Sequence, residues 1–249
     1  MTLQDFFHEN RQVALGFSGG VDSTYLLYAA ISCGAKVRAY YVKSVFQPHF
    51  ELEDAKRLAS QLHAVLIVLD VDVLSVAAIT ANPADRCYHC KKQILSAIAA
   101  QAYSDGYRTL IDGTNASDDA GDRPGMRALR EMSVRSPLRE CGLTKDEIRT
   151  LSRKAGLFTW NKPAYACLAT RIPTGEPITR EKLERTESAE NTLFSLGFTD
   201  FRVRMTGTAA KIQVPASQLE RLLENRSAVV RELKKNYSAV LLDLEGRDE

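Results

Sequence analysis

No stretch of this sequence approaches the roughly 20 consecutive apolar residues that a membrane-spanning helix needs. Its first residues also lack the order of positive charge, apolar run and small-residue site that marks an export signal. A cytoplasmic location without a membrane partner is therefore expected. There is no internal repeat and no low-complexity tract, which excludes solenoid and disordered architectures. Nor is there a basic run. The 33 Lys and Arg are interleaved with 31 Asp and Glu for a net charge of +2, which argues against nucleic acid as a partner. The local stretch Arg202, Arg204, Lys211 suits a small anion better than a long polyanion. Cysteine is scarce and odd in number: Cys33, Cys87, Cys90, Cys141 and Cys167 make five. Without an export signal, that count points to reduced thiols, metal ligation or catalysis rather than a disulfide framework.

What remains, in 249 residues of which 45% are hydrophobic and 26% charged, is an ordinary globular chain. The first residues, to Asn10, read as a short amphipathic helix. Apolar runs at 13–17, 36–42, 64–69 and 109–112 read as strands, with helices predicted over 22–33, 51–62 and 92–103 between them. Strands with near-continuous apolar runs, separated by helices, predict an α/β fold with a parallel sheet covered on both faces. Thr144 and Glu147 have capping-box spacing, so a helix is predicted from there to about Ala155. The segment 160–177, with Pro163, Pro173, Gly175 and Pro177, reads as a linker or active-site loop. A small α+β domain follows: a long charged helix over 179–196, strand-like runs at 201–205 and 210–214, one or two helices, and a last strand at 239–244. The expected division is 1–160 and 161–249.

Ser18-Gly19-Gly20-Val21-Asp22-Ser23 falls between a predicted strand and a predicted helix. Glycines there allow a tight turn and close backbone approach to an anion. Loop N–H groups and the helix N-terminus would point at it, and Ser18 and Ser23 add hydroxyl donors. The loop lacks the Gly-Lys-Ser/Thr ending of a Walker A motif. It resembles the PP-loop of N-type ATP pyrophosphatases, a class that includes NAD and GMP synthetases and tRNA thiolation enzymes. In that class the loop holds the departing pyrophosphate while a substrate oxygen attacks the α-phosphate of ATP. Asp112-Gly113-Thr114-Asn115 follows the fourth predicted strand, at the carboxyl edge where open α/β sheets bind ligands. The resemblance places Asp112 and Gly113 beside the nucleotide and implies a downstream Mg²⁺-holding carboxylate, at Asp118 or Asp119.

Cys87 and Cys90 form a C-x-x-C within Arg86-Cys87-Tyr88-His89-Cys90-Lys91-Lys92, and Cys167 lies in Ala166-Cys167-Leu168-Ala169-Thr170-Arg171. A C-x-x-C offers two thiolates to one metal or cluster, and a third from a distant loop would close a face. Three thiolates on a cubane cluster leave one iron open for an exogenous sulfide. Zinc would need His89 as a strained fourth ligand, and a redox C-x-x-C would not need Cys167. Cys33 falls on the apolar side of the first sheet-linking helix and is expected in the core. Cys141, before Gly142 in a turn, is read as incidental.

With the three cysteines added to the PP-loop, the chain resembles the LarE family, the sulfur-insertion enzymes of nickel-pincer nucleotide biosynthesis. The matching stretches are Ser18 to Ser23, Asp112-Gly113, Asp122-Arg123-Pro124-Gly125, Trp160-Asn161-Lys162, Arg171-Ile172-Pro173-Thr174-Gly175, Leu196-Gly197-Phe198, Arg202-Val203-Arg204 and Leu242-Asp243-Leu244. Some members sacrifice a cysteine sulfur, whose position falls at Ala166 here; others hold a [4Fe-4S] cluster on three cysteines. The pattern matches the cluster kind. The resemblance implies that ATP adenylylates a carboxylate of pyridinium-3,5-biscarboxylate mononucleotide and that cluster-held sulfide replaces the activated oxygen. It implies roles for Arg171 and Glu190 in catalysis, a grip on the substrate phosphate by Arg202 and Arg204, a sulfide source as partner, and a homo-oligomer, a hexamer. Alternatives on the same residues are a tRNA thiolase, an amide-forming synthetase with zinc on its cysteines, and a non-enzymatic adenine-nucleotide sensor.

Overall fold

The computed structural model of the chain describes residues 1–118 and 124–247. Its elements run α1 (Leu3–Glu9), β1 (Gln12–Gly16), α2 (Val21–Ser32), β2 (Lys36–Lys43), α3 (His49–Gln61), β3 (Val65–Asp70), α4 (Ala77–Thr80) and α5 (Arg86–Ser104). There follow β4 (Thr109–Ile111), α6 (Pro124–Glu131), α7 (Pro137–Glu140), α8 (Lys145–Lys154) and α9 (Arg180–Ser195). The chain closes with β5 (Arg202–Thr206), β6 (Ala209–Gln213), α10 (Leu219–Glu224), α11 (Arg226–Leu233) and β7 (Val240–Leu242). Two compact units divide these: Met1–Val73 with Asp85–Lys162, and Leu74–Ala84 with Pro163–Glu249. Among the described residues no helix is long and apolar enough to cross a membrane.

In the first unit β1 pairs in parallel with β2 and with β4, and β2 with β3, giving the order β3-β2-β1-β4. Side chains alternate across a strand. Val13, Leu15, Ala39 and Tyr41 go to one face, where Phe6 and Phe7 of α1, Leu26 and Leu27 of α2 and Leu58 of α3 cover them. Ala14, Tyr40 and Val42 go to the other, against Ile98 and Ala102 of α5. Both faces are buried, as the parallel α/β expectation requires. The chain leaves β1 outward through β2 and β3, then returns to place β4 on β1's other side. That reversal opens a crevice at the carboxyl ends of β1 and β4.

Two readings from the sequence need correction. Helix α5 begins at Arg86 rather than Lys92, because nothing in Arg86–Lys91 breaks a helix once Pro83 has turned the chain. Cys33 is exposed, not core. It is the last residue before a Schellman ending of α2, in which Gly34 (φ 72°) and Ala35 donate to the carbonyls of Ile31 and Ala30.

In the second unit β5 and β6 form an antiparallel hairpin that turns at Gly207 (φ 56°), and β7 returns parallel to β6 after α10 and α11. Helix α9 packs on β5, so Leu183, Ala189 and Leu193 share a core with Val203, Met205 and Ile212. The buried amide of Asn82 ties the 74–84 segment to this unit, donating to the carbonyls of Pro173 (2.7 Å) and Glu176 (3.1 Å). The Gly175 N–H donates back to the Asn82 carbonyl at 2.8 Å.

Leu15 is fully buried on the central strand. Leu15→Ala is expected to cost about 2–5 kcal/mol through lost burial and the cavity left behind, read as a lower urea midpoint with β-sheet far-UV signal retained.

Candidate functional site

The loop after β1 lies at the sheet's reversal point. Gly19 turns with φ 71°, a left-handed conformation that glycine adopts without strain. Gly20 caps α2 without any side-chain hydrogen bond to the helix. The Ser18 and Ser23 hydroxyls face each other at 3.1 Å, and the Gly20 N–H donates to Ser18 Oγ at 3.3 Å. The amides at the start of α2 therefore have no capping side chain, and two hydroxyls stand beside them. A helix N-terminus arranged in this way is suited to cradle an anion.

The turn after β4 packs directly against that cradle. A Cβ on Gly113 would lie 2.8 Å from the Ser23 nitrogen. Asp112 is nearly buried and accepts from Thr114 Oγ1 and Ser136 Oγ, both at 2.7 Å, with Lys91 Nζ at 3.5 Å. Asp22 accepts from Asn115 Nδ2 at 3.4 Å and Lys145 Nζ at 2.5 Å. Asp118 accepts from the Asn115 N–H at 2.9 Å, closing a turn. Asp119 lies outside the described residues, as do Asp122 and Arg123. Within either unit no group of three or more His, Cys, Asp or Glu side chains gathers as a metal site among the described residues. Lys91 and Lys145 are cations of this region that sequence reasoning missed. Lys91 follows the C-x-x-C directly, and Lys145 was read only as the start of a helix.

Cys87 and Cys90 occupy the first turn of α5, one turn apart and hence on one face. Cys87 is exposed and Cys90 partly buried, neither in a disulfide. Arg86 Nη2 lies 3.9 Å from Cys87 Sγ. The turn is braced on α6: Tyr88 donates to Glu131 Oε2 at 2.6 Å, and the Arg127 guanidinium stacks 3.8 Å over the Tyr88 ring. Cys167, in the second unit, precedes a 3-10 turn (Leu168–Arg171), and its carbonyl accepts from Thr170 Oγ1 at 2.8 Å. Two accessible thiols on one helical turn fit two ligands of a single cluster, with thiolate the donor such clusters take.

The second unit buries a carboxylate hub. Glu190 and Arg171 are each 1% exposed and pair at 2.6 Å. Glu190 also accepts from the Val203 N–H at 3.0 Å and from the Tyr165 hydroxyl. Tyr165 and Arg171 flank Cys167 in sequence, so one carboxylate holds both sides of that loop. Arg202 and Arg204 both turn toward the loop. Arg202 donates to the Ala164 carbonyl and lies 5.2 Å over the Tyr165 ring, and Arg204 donates to the Thr170 carbonyl at 2.8 Å. They are not solvated edge residues: Arg202 is 5% exposed. Burial, then the neighbouring Arg171 and Arg247 charges, push its guanidinium down to about 10, and the same causes lower that of Arg204. Both remain cationic at neutral pH, in a setting that favours an anion. Tyr165, which lies over two of the guanidiniums, carried no signal in the sequence.

An all-parallel sheet whose reversal point carries Ser-Gly-Gly-Val-Asp-Ser, on a helix N-terminus without Walker lysine, defines a PP-loop nucleotide-binding domain. The family model for queuosine biosynthesis protein QueC matches residues 12–87. The pyridinium-3,5-bisthiocarboxylic acid mononucleotide synthase of Lactiplantibacillus plantarum is 32% identical over 98% of this chain and 90% of its own. An uncharacterized protein of Synechocystis is 36% identical over 98% of this chain and 92% of its own. One from Methanocaldococcus jannaschii is 26% identical over 95% and 91%. The chain belongs to the LarE family of PP-loop enzymes, and at the coarsest level is an ATP-using transferase.

Gly113→Ala is expected to force Ser23 and the start of α2 to shift. Pyrophosphate affinity should fall at least about tenfold, one lost charge-assisted bond, by calorimetry. Glu190→Gln leaves the Arg171 guanidinium buried without its counter-charge. It should cost about 3–5 kcal/mol of second-unit stability, read by thermal unfolding.

Proposed function

We propose that this protein is an ATP-dependent sulfur transferase that adenylylates a carboxylate of pyridinium-3,5-biscarboxylate mononucleotide and then replaces the activated oxygen with sulfur. The observation that carries the reading is the open cradle of Ser18, Gly19, Gly20 and Ser23 at the sheet's reversal point, a phosphate site built without a Walker lysine. The relative from Lactiplantibacillus plantarum, named for the bisthiocarboxylic nucleotide, supplies the substrate class.

In the first step a carboxylate oxygen attacks the α-phosphorus of ATP, the bond to the bridging oxygen breaks, and pyrophosphate leaves into the cradle. Charge develops on that leaving group, where amides and hydroxyls fixed in advance stabilise it without reorganising. Mg²⁺ accompanies the nucleotide, with Asp118 or Asp119 as its carboxylate. In the second step sulfide attacks the acyl carbon, the bond to the adenylate oxygen breaks, and AMP leaves. Cys87, Cys90 and Cys167 would hold a [4Fe-4S] cluster, which when bound supplies an open iron able to carry that sulfide. Ala166 offers no sulfur of its own. Arg202 and Arg204 bind the substrate phosphate, and their depressed basicity is the mark of cations waiting for an anion. Arg171 and Glu190, both buried, act as positioning residues that hold the Cys167 loop and the Arg202–Arg204 strand.

On this reading residues 1–160 form the ATP-pyrophosphatase domain and 161–249 the sulfur-transfer domain. The active form is a cytoplasmic homo-oligomer, a hexamer, that receives sulfide from a donor and has no nucleic-acid partner.

The test is anaerobic. The purified chain, given ATP, Mg²⁺, sulfide and the pyridinium dicarboxylate nucleotide, should release pyrophosphate and AMP and yield a product heavier by the oxygen-to-sulfur exchange. Iron and acid-labile sulfide should be present, and removing iron with a chelator should abolish the mass shift while leaving pyrophosphate release. A colourless protein with stoichiometric zinc would sink the cluster. Absence of substrate-dependent pyrophosphate release would sink the adenylylation.

A further inference from the structure

Arg204 is held by two contacts that leave its charge uncancelled. Its Nε donates to Gln213 Oε1 at 2.6 Å and its Nη1 to the Thr170 carbonyl at 2.8 Å, both neutral oxygens. Its Nη2 has no protein acceptor among the described residues and is the nitrogen left for an anion. A carboxylate stands one side chain further back. Asp243 Oδ2 accepts from Gln213 Nε2 at 2.7 Å and from Lys211 Nζ at 2.9 Å.

Chemistry dictates the polarity of this chain of hydrogen bonds. A guanidinium can only donate and an ionised carboxylate can only accept. The Gln213 amide therefore satisfies both neighbours in one orientation, oxygen toward Arg204 and nitrogen toward Asp243. Strand pairing sets the distances. The β5–β6 hairpin pairs Arg204 with Lys211 and Arg202 with Gln213, which puts Gln213 diagonally across from Arg204. Asp243 follows β7 directly, and its N–H donates to the Ile212 carbonyl at 2.9 Å, so its backbone is fixed next to Gln213. Hydrogen bonds from Lys211 and then Gln213 hold its carboxyl below the usual aspartate range, which keeps it an acceptor. A carboxylate placed directly on Arg204 would orient it as well, but would also neutralise it and compete with an incoming anion. The amide transmits the orientation and not the charge, and Lys211 balances Asp243.

We propose that Gln213 and Asp243 are positioning residues for the substrate phosphate: Asp243 fixes the Gln213 amide, and the amide holds Arg204 with Nη2 presented and its charge uncancelled. The proposal rests on the reading above that Arg204 binds that phosphate. A brace that merely joins β5, β6 and β7 is the competing account, and it makes a different forecast.

The experiment is titration calorimetry of the full chain with the pyridinium dicarboxylate mononucleotide and with its nucleoside, which lacks the phosphate, alongside thermal unfolding of each variant. Gln213→Met should weaken the mononucleotide by about tenfold or more and the nucleoside by less than about twofold, because only the grip on phosphate is disturbed. Combining Gln213→Glu with Asp243→Asn exchanges the two groups. Hydrogen bonds and net charge are kept, but the carboxylate now faces Arg204. This double variant should melt as the unmodified chain does and still lose at least about tenfold in mononucleotide affinity. Unmodified affinity in the double variant would overturn the proposal, since a brace needs only the hydrogen bonds. Unchanged mononucleotide affinity in Gln213→Met would do the same, as would equal losses for mononucleotide and nucleoside. An unmodified chain that binds the mononucleotide no more tightly than the nucleoside would overturn the phosphate-grip reading itself.

Discussion

The first unit is organised around the contact between Gly113 and the start of α2. A side chain at 113 would meet the Ser23 nitrogen at 2.8 Å, so the turn after β4 and the loop after β1 share one small volume. That closeness exists because β1 and β4 are hydrogen-bonded neighbours, Leu15 beside Ile111, and both strands end at the same level. Everything chemical in the unit follows from it. Asn115 reaches across to Asp22 of α2 while Thr114 turns back to Asp112, and the helix amides open onto the resulting crevice. The fold could vary widely elsewhere and keep this; a methyl group at 113 would not leave it intact.

Much of this was legible in the sequence, for a local reason. The parallel sheet declared itself in runs such as Val13–Phe17 and Lys36–Val42, whose residues are apolar at both parities. The structure sends Val13 and Leu15 to one face and Ala14 to the other. The turn after β1 was legible because its glycines and serines fall within six consecutive residues. The start of α5 was not, since Arg86–Lys91 lacks an apolar period to mark it as helical, although it is helical once Pro83 turns the chain. Cys33 misled because helical periodicity continues to the last turn, whereas Gly34 ends the helix one residue later. The ion pair of Lys145 with Asp22, and the placing of Tyr165 beneath two guanidiniums, depend on contacts between residues far apart in sequence. No local pattern encodes those.

The second unit obeys a different constraint, the burial of charge. Arg171 and Glu190 pair almost entirely out of water, a geometry that repays desolvation only if every remaining lone pair is used. Glu190 does use them, taking Tyr165, Arg171 and the Val203 amide. One helix residue therefore fixes the loop around Cys167 to the strand that carries Arg202 and Arg204. Replacing the pair with packed apolar groups would keep a core and lose the placement of that loop.

The neighbouring guanidiniums are not balanced in the same way. Arg202 and Arg247 share the single carboxylate of Asp200, at 3.6 Å and 3.1 Å. Arg204 donates to the neutral oxygens of Gln213 and Thr170. Burial with mutual repulsion holds Arg202 down near 10, so the folded unit carries an electrostatic cost that local contacts do not offset. Stored cost of this kind is characteristic of binding sites, where geometry is fixed before the ligand arrives. An anion placed beside Arg202 and Arg204 would remove it, returning their basicity toward the ordinary guanidinium value. The same ligand would stabilise the unit by mass action. Affinity and stability in this half of the chain are thus one quantity seen from two sides: an anion that relieved the crowding of Arg202 and Arg204 would also steady the fold around them.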